Sequence, residues 1–374
     1  MMGMEEIRLK DICDLDNGFA FKSDDYVVKS NTLNCRMSNI RPDSSFDILY
    51  NAKYLPDEFA EKYKDYILYD GDLIIAMTDM AGDPKILGVP TVVNTLGYNL
   101  LLNQRVGKLR LIKKGVNADY LKLALQCSNV RNYLKKFAGG GVQLNVSKKD
   151  ILSVPILMRS ENEQNSIAEQ FSKVLGLKEK REQELKLLDN LIKARFVEMF
   201  GDVTLNDKLW KTDSWNNLLR IVNGKNQRAV ESNDGEYVIC GSGGIMGKAR
   251  DYLTKENSVI VGRKGNINKP ILMREKYWNV DTAFGLEPNN NHICVEYLYM
   301  FCLFFDFNRL NKAVTIPSLT KADLLNIEMP VPDLNIQNQF ATFVHQVDKS
   351  KVAVQKALDE TQLLFDSLMQ KYFG

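Results

Sequence analysis

The chain contains two copies of one pattern. Residues 147–201 align with residues 320–374 without a gap at an offset of 173 positions, so that Ser147-Lys148-Lys149-Asp150-Ile151-Leu152 lies on Thr320-Lys321-Ala322-Asp323-Leu324-Leu325. Gln164, Ile167, Ala168 and Phe171 fall on Gln337, Phe340, Ala341 and Val344, and Phe200-Gly201 falls on Phe373-Gly374. Ahead of each matched stretch stand short apolar runs broken by Gly, Pro, Asn and Asp, followed by a helical pattern. A period this long in two copies is not a solenoid. It is a tandem duplication of a domain plus a helix, and it implies a pseudo-twofold object with two similar faces.

Composition agrees with two cores rather than one: 374 residues, 26% charged and 45% hydrophobic. No apolar run reaches membrane-spanning length and no charged-then-apolar leader follows Met1, so a cytoplasmic protein with no membrane partner is expected. The six cysteines (Cys13, Cys35, Cys127, Cys240, Cys294, Cys302) show no C-x-x-C spacing, and only His292 and His345 could assist them. Buried thiols in a reducing compartment, and no metal site, are the expectation. A net charge of +2 excludes coating of nucleic acid by bulk electrostatics. Any such contact has to come from local patches.

The runs Asp72-Leu73-Ile74-Ile75-Ala76, Val89-Pro90-Thr91-Val92-Val93 and Val259-Ile260-Val261 have the length and punctuation of strands. Residues 117–137 carry apolar positions at helical spacing and are followed by Gly139-Gly140-Gly141, which predicts one helix ended by glycine; the second copy predicts a helix over 295–310. The long helices are signalled by Ser160-Glu161-Asn162-Glu163, which has the form of a capping box, and by Asp333 as an N-cap after Pro332. No proline occurs in 160–201 or 333–374, so each helix can run nearly 40 residues, about 55 to 60 Å.

Steps of four and three from Ile167 give Phe171, Val174, Lys178, Arg181, Leu185, Leu188, Ile192 and Arg195. The same steps from Phe340 give Val344, Val347, Lys351, Val354, Leu358, Thr361, Phe365 and Leu368. Both helices thus carry a heptad stripe that needs another helix to cover it. The expected fold class is α+β (mixed): two globular α/β domains separated by two long antiparallel helices forming a coiled coil. The expected segments are 1–158, a spacer helix over 159–202, a second domain over 203–332 and a C-terminal spacer helix over 333–374.

Catalytic signatures are missing. The sequence holds no G-x-x-x-x-G-K-[ST] loop, no H-E-x-x-H, no G-x-S-x-G, no G-x-G-x-x-G after a strand, and no Asn-Pro-Pro-aromatic or Asp-Pro-Pro-aromatic tetrapeptide. No catalytic residue and no cofactor are therefore assigned to this chain. What remains are loops that combine cations, amides and glycines. Gly262-Arg263-Lys264-Gly265-Asn266 follows an apolar strand, so a tight turn would present Arg263, Lys264 and Asn266 from a rigid sheet. Arginine and asparagine read guanine and adenine edges bidentately, while lysine suits phosphate. The corresponding segment of the first copy is Met77-Thr78-Asp79-Met80, with Thr78 as the candidate and Lys85 downstream. Further candidates in the first copy are Lys22, Ser23, Gln104, Arg105, Gln143 and Asn145; in the second they are Lys225, Asn226, Gln227, Arg228, Thr282 and Ser318.

Two variable α/β segments, each followed by a strand with proline, a Gln-x-x-Ile/Phe-Ala motif and a long helix, resemble the specificity (S) subunit of type I restriction-modification systems. The residues that carry the likeness are Gly71-Asp72-Leu73-Ile74-Ile75, Val259-Ile260-Val261-Gly262-Arg263-Lys264-Gly265, Tyr277-Trp278-Asn279-Val280-Asp281-Thr282-Ala283-Phe284 and Glu163-Gln164-Asn165-Ser166-Ile167-Ala168. The resemblance covers essentially the whole chain. It implies two target recognition domains that each read one half of a split double-stranded DNA site, and an antiparallel coiled coil that sets the gap. It also implies two modification (M) subunits that bind S-adenosylmethionine and methylate adenine, with restriction (R) subunits able to join. A specificity module of a related nuclease-methylase fusion, and a coiled-coil scaffold that binds proteins, stay open as alternatives.

Overall fold

A computed structural model describes residues 5–311 and 316–374. They divide into two compact units, one made of residues 1–179 with 359–374 and the other of residues 180–358. The boundaries fall inside the two long helices, Glu161–Phe200 and Leu334–Phe373. Each unit therefore combines a globular part with stretches of both helices.

The two units repeat one another in their main sheet, in a parallel strand pair and in a short pair before each long helix. In the first, a four-stranded antiparallel sheet has the order Cys13–Asn17, Val106–Leu111, Leu73–Ala76, Pro90–Val92; in the second, Leu219–Asn223, Ala283–Pro288, Ser258–Gly262, Ile271–Met273. Each unit adds a parallel pair in a second sheet, Thr32–Cys35 with Asn99–Leu102 and Tyr237–Gly241 with Tyr277–Asn279. Each also has a short antiparallel pair just before its long helix, Glu5–Arg8 with Pro155–Met158 and Thr212–Ser214 with Glu328–Pro330. Strands such as Leu73–Ala76 and Ser258–Gly262 are buried throughout, which is why they read as continuous apolar runs rather than as alternating ones.

The single helix expected over 117–137 is two helices, Ala118–Gln126 and Ser128–Lys135. Cys127 between them is extended (φ −64°, ψ 151°), which breaks the helical hydrogen-bond ladder while leaving the apolar spacing readable as one helix. Gly139-Gly140-Gly141 consequently lies beyond the helix end, and Gly139 pairs with Asn145 instead. The helix expected over 295–310 likewise ends at Phe304, followed by a 3-10 turn over Phe307–Leu310.

Ser160 and Glu163 form the capping box: the Ser160 N–H donates to Glu163 Oε2 at 3.1 Å and the Glu163 N–H to Ser160 Oγ at 3.4 Å. At Asp333 the backbone carbonyl, accepting from the Ile336 and Gln337 N–H groups, starts the second long helix. In the first unit Phe171 meets Phe365 edge-on, with centroids 5.3 Å apart, and Lys178 Nζ donates to Gln362 Oε1 at 3.0 Å. In the second, Phe196 meets Phe340 at 5.4 Å, Arg181 donates to the Ala357 carbonyl, and Lys351 pairs with Asp189 at 2.7 Å. Within each unit the helices run antiparallel, and every stripe position is buried or half-buried, including Val174, Leu185, Leu188, Ile192, Val344, Val347, Val354, Leu358 and Leu368. The lysines at the seam are accommodated by partners rather than expelled. Partial burial works against the Lys351 ammonium, but its hydrogen bond to Asp189 and that carboxylate's field win, so its pKa lies above the ordinary lysine value.

A buried glutamine fixes each globular part to its helix. Gln164 accepts from the Asn117 N–H at 3.0 Å and donates to the Arg159 carbonyl at 2.8 Å. Its counterpart Gln337 accepts from the Cys294 N–H at 3.0 Å and donates to the His292 and Pro332 carbonyls at 2.9 and 2.7 Å. Tyr120 and Tyr297 repeat the theme, their hydroxyls donating to the Leu157 and Pro330 carbonyls at 2.6 and 2.8 Å. Phe373 packs on Tyr120 and Phe200 on Tyr297, with centroids 5.3 and 4.8 Å apart. The core of each unit is thus closed by an aromatic from the far end of a long helix. Among the described residues no helix is long and apolar enough to cross a membrane.

Candidate nucleic-acid interface

In the second unit, strand Ser258–Gly262 ends at the edge of its sheet and delivers Arg263, Lys264 and Asn266 into solvent, all three exposed. The loop is rigid because its backbone is tied on two sides. The Arg263 and Lys264 N–H groups both donate to the Thr282 carbonyl, at 2.7 and 3.3 Å, while Gly265 N–H donates to Pro317 and Leu319 N–H to Arg263. Lys264 and Ser318 form a β-bridge. Arg263, Lys264, Asn266, Thr282 and Ser318 are thus brought to one edge. Arg263 also stands 5.9 Å from the Phe284 ring centroid, within cation–π range.

Lys225 joins the same edge through the end of strand Leu219–Asn223, its N–H donating to the Asn279 carbonyl at 3.0 Å and its carbonyl accepting from the Trp278 indole at 3.0 Å. Gly224 makes that approach possible: a Cβ there would lie 1.8 Å from the Val280 carbonyl oxygen. Asn226, Gln227 and Arg228 follow in a turn in which Asn226 Oδ1 accepts the Arg228 N–H at 2.9 Å. Among the described residues none of Lys225, Arg228, Arg263 and Lys264 sits in an ion pair, so these four exposed cations lack carboxylate partners. Uncompensated cations beside amides and hydroxyls suit a polyanion whose edges carry hydrogen-bonding groups.

Two contributors lie in the stretch that carries the likeness but are not among the candidates read from the sequence. Asn279 is fully buried, and its side chain binds the Val222 and Ala283 carbonyls at 3.2 Å each and accepts from Thr254 Oγ1 at 2.8 Å, fastening the strand ends that carry the edge. Asp281, exposed beside Thr282, adds an acceptor of the kind that cytosine amino groups address. Asn279 and Asp281 lie in a stretch whose composition is distinctive, but burial and exposure within it follow from the fold.

The first unit builds the same edge from other side chains. Met77 N–H donates to the Arg105 carbonyl at 3.0 Å, as Arg263 does to Thr282, and Phe19 N–H to Leu102 at 2.8 Å, as Lys225 does to Asn279. Gly18 makes the same close approach as Gly224, a Cβ there falling 2.3 Å from the Asn103 carbonyl oxygen. Arg105 thus stands where Thr282 does, Met77 where Arg263 does, and Phe19 where Lys225 does. Gln104 N–H donates to Phe19 at 3.1 Å, placing Gln104 and Arg105 on this edge; Lys22 and Ser23 lie just beyond, exposed, at a 3-10 turn.

Thr78 does not serve as a surface contact. Residues Thr78–Met80 form a strand paired with Gln143–Asn145, Thr78 is 2% exposed, and its hydroxyl donates to Asn145 Oδ1 at 2.7 Å. The reason lies next door: Asp79, also buried, draws the Ile86 and Leu87 N–H groups onto its carboxylate and pulls the segment into the body. Gln143 is half-buried and Asn145 exposed, so this pair remains accessible. Lys85 is exposed in the turn that Asp79 clasps, but it is already paired with Asp83 at 2.7 Å, and that hydrogen bond raises its pKa above the usual lysine value.

Among the described residues no group of three or more His, Cys, Asp or Glu is placed to hold a metal. Burial also disfavours ionisation of the thiols of Cys13, Cys35, Cys240, Cys294 and Cys302. Burial pushes Cys13 and Cys35 up to about 12 and Cys240 and Cys294 up to about 11, with Asp14, Glu275 and Glu296 adding repulsion at Cys13, Cys240 and Cys294.

The family model described as type I restriction modification DNA specificity domain matches residues 1–187 and 207–361. The type I restriction enzyme MjaVIII specificity subunit of Methanocaldococcus jannaschii is 22% identical over 190 residues, which span 50% of this chain and 42% of that protein. The chain therefore spans less than half the length of this curated relative. The crystal structure of the type I restriction-modification system S subunit from M. genitalium superposes with a TM-score of 0.59 at 15% identity, covering 100% of this chain and 96% of that one. A chain solved in work on complex assembly and conformational transition of the type I R-M system gives a TM-score of 0.56 at 15% identity, covering 100% and 98%. These likenesses concern the fold.

Proposed function

Because the chain belongs to the family of type I restriction modification DNA specificity domains, we propose that it is a noncatalytic DNA sequence-recognition subunit whose two units each read one half of a bipartite duplex site. One observation carries this reading. The two units share a backbone frame down to individual hydrogen bonds, yet where one edge carries Arg263, Lys225 and Thr282 the other has a buried Met77, a half-buried Phe19 and Arg105. A scaffold that bound two copies of one partner would have no use for this difference. Two halves of an asymmetric DNA site require it.

In this role the paired helices act as the spacer between half-sites, and methyl transfer belongs to partners: two M subunits with S-adenosylmethionine, joined by R subunits where cleavage follows. Near-neutral charge suits a chain whose affinity is completed by those partners, since phosphate contacts, not net charge, set non-specific binding. A cytoplasmic complex on chromosomal DNA follows. Long-read mapping of methylated adenines in the source genome tests the proposal. A two-part motif with an unspecified gap, lost on deletion of this chain, is the expected result; a contiguous motif sinks it.

A further inference from the structure

We propose that Met246 and Ile245, at the tip of the hairpin formed by Tyr237–Gly241 and Gly244–Ala249, determine specificity by contacting thymine 5-methyl groups in the half-site of the second unit; this rests on the DNA-reading function above. The two side chains are neighbours and are 62% and 69% exposed. Single exposed apolar residues are ordinary on a protein surface. Exposure of two adjacent apolar residues shows that this part of the hairpin stands clear of the unit.

The tip also abuts the cationic edge. A Cβ placed on Gly241 would lie 2.9 Å from Met246 Sδ and 3.5 Å from Thr282 Oγ1, so the Met246 thioether and the Thr282 hydroxyl converge there. A Cβ on Gly262 would lie 3.1 Å from Ser242 Cβ, and one on Gly243 would lie 4.0 Å from the Asn266 amide nitrogen. Cys240 pairs with Ile245 and Ile239 with Gly247, so Met246 is the extra residue of a β-bulge, a device that re-aims a side chain.

Charge selects the occupant. Lys225, Arg263 and Lys264, held through Asn279 and Thr282 at the edge that the tip abuts, are without carboxylate partners among the described residues, which favours a polyanion over another protein's apolar face. Thymine offers the apolar group on the edges of duplex DNA: its methyl in the major groove. Methionine, unbranched and polarisable, fits such a small target well.

The test uses the complex assembled with its methyltransferase partner and duplexes carrying the mapped site, with each thymine of the second unit's half-site replaced in turn by deoxyuridine. The native complex should lose affinity roughly fourfold at one position or more, the size expected from removing about one buried methyl. The I245S/M246S variant should bind at the lowered level and ignore the replacement. Equal sensitivity in both proteins overturns the inference, as does a half-site without thymine, or a variant whose sole defect is failure to assemble with the methyltransferase. Failure of the underlying reading is separable, since the native complex would then not distinguish the site from a scrambled duplex.

Discussion

Arg263 and Lys264 differ in what they can do although they are neighbours on one loop. A guanidinium makes a bidentate contact with a guanine edge, so Arg263→Ala is expected to cost about 1 to 3 kcal/mol and to relax choice at one base. Lys264→Ala should weaken all sequences alike and reduce the salt-dependence slope by about 1. Both outcomes are read by titrating matched and single-mismatch duplexes at several salt concentrations. The loop itself was legible, because a glycine-bracketed pair of cations follows an apolar strand. Thr78 shows where legibility ended: the Asp79 carboxylate captures backbone N–H groups from residues 86 and 87, and nothing local in the sequence announces that capture. The thiols allow a further check. With folded values raised by burial, Cys13, Cys35, Cys240 and Cys294 keep their protons below the ordinary value of 9.0 in either state, so they contribute no pH dependence there. Above it the unfolded chain ionises first, and stability should fall from about pH 9 through the folded values near 11 and 12. Melting temperatures measured from pH 8 to pH 11 would show this decline.

At the scale of elements, the long helices were legible almost to the residue, since a proline-free heptad stripe opened by a capping box leaves few alternatives. Their attachment to the globular parts was not. Gln164 and Gln337 stand in register in the sequence, but their three-way hydrogen bonding becomes visible only when the loops at Asn117 and Cys294 are in place. Gln337→Ala would strip partners from the Cys294 N–H and from two carbonyls, leaving buried polar groups unmet at a cost of about 2 to 4 kcal/mol. Chemical denaturation with a fluorescence readout of Trp215 and Trp278 would measure that loss. The break at Cys127 escaped the sequence for the opposite reason, because apolar spacing continues across it while the backbone does not. Lengthening both helices by one heptad, after Lys178 and at the facing turn of the second helix, adds about 10.5 Å, or roughly 3 base pairs of duplex. Methylation mapping should then report the original half-sites with a gap wider by that amount.

On the scale of the whole molecule, the duplication was the part of the architecture most readily seen, because an ungapped alignment of the two halves survives in their helices. The division into units was less apparent. Residues 359–374 belong with residues 1–179, a pairing of distant segments that no local pattern encodes. Phe373 is 6% exposed and packs among Tyr120 and Phe171, so Phe373→Ala should destabilise the first unit by about 3 to 5 kcal/mol. Hydrogen exchange is expected to show faster opening in residues 118–135 and little change in the second unit.

That closure has a bearing on biosynthesis. Residues 180–358 are polymerised before the aromatic that completes the first unit, so the first unit, although begun before the second, is finished after it. Its Tyr120 pocket waits while the second unit is made. A stop codon just after Leu358 would therefore spare the second unit and leave the first one open to proteases.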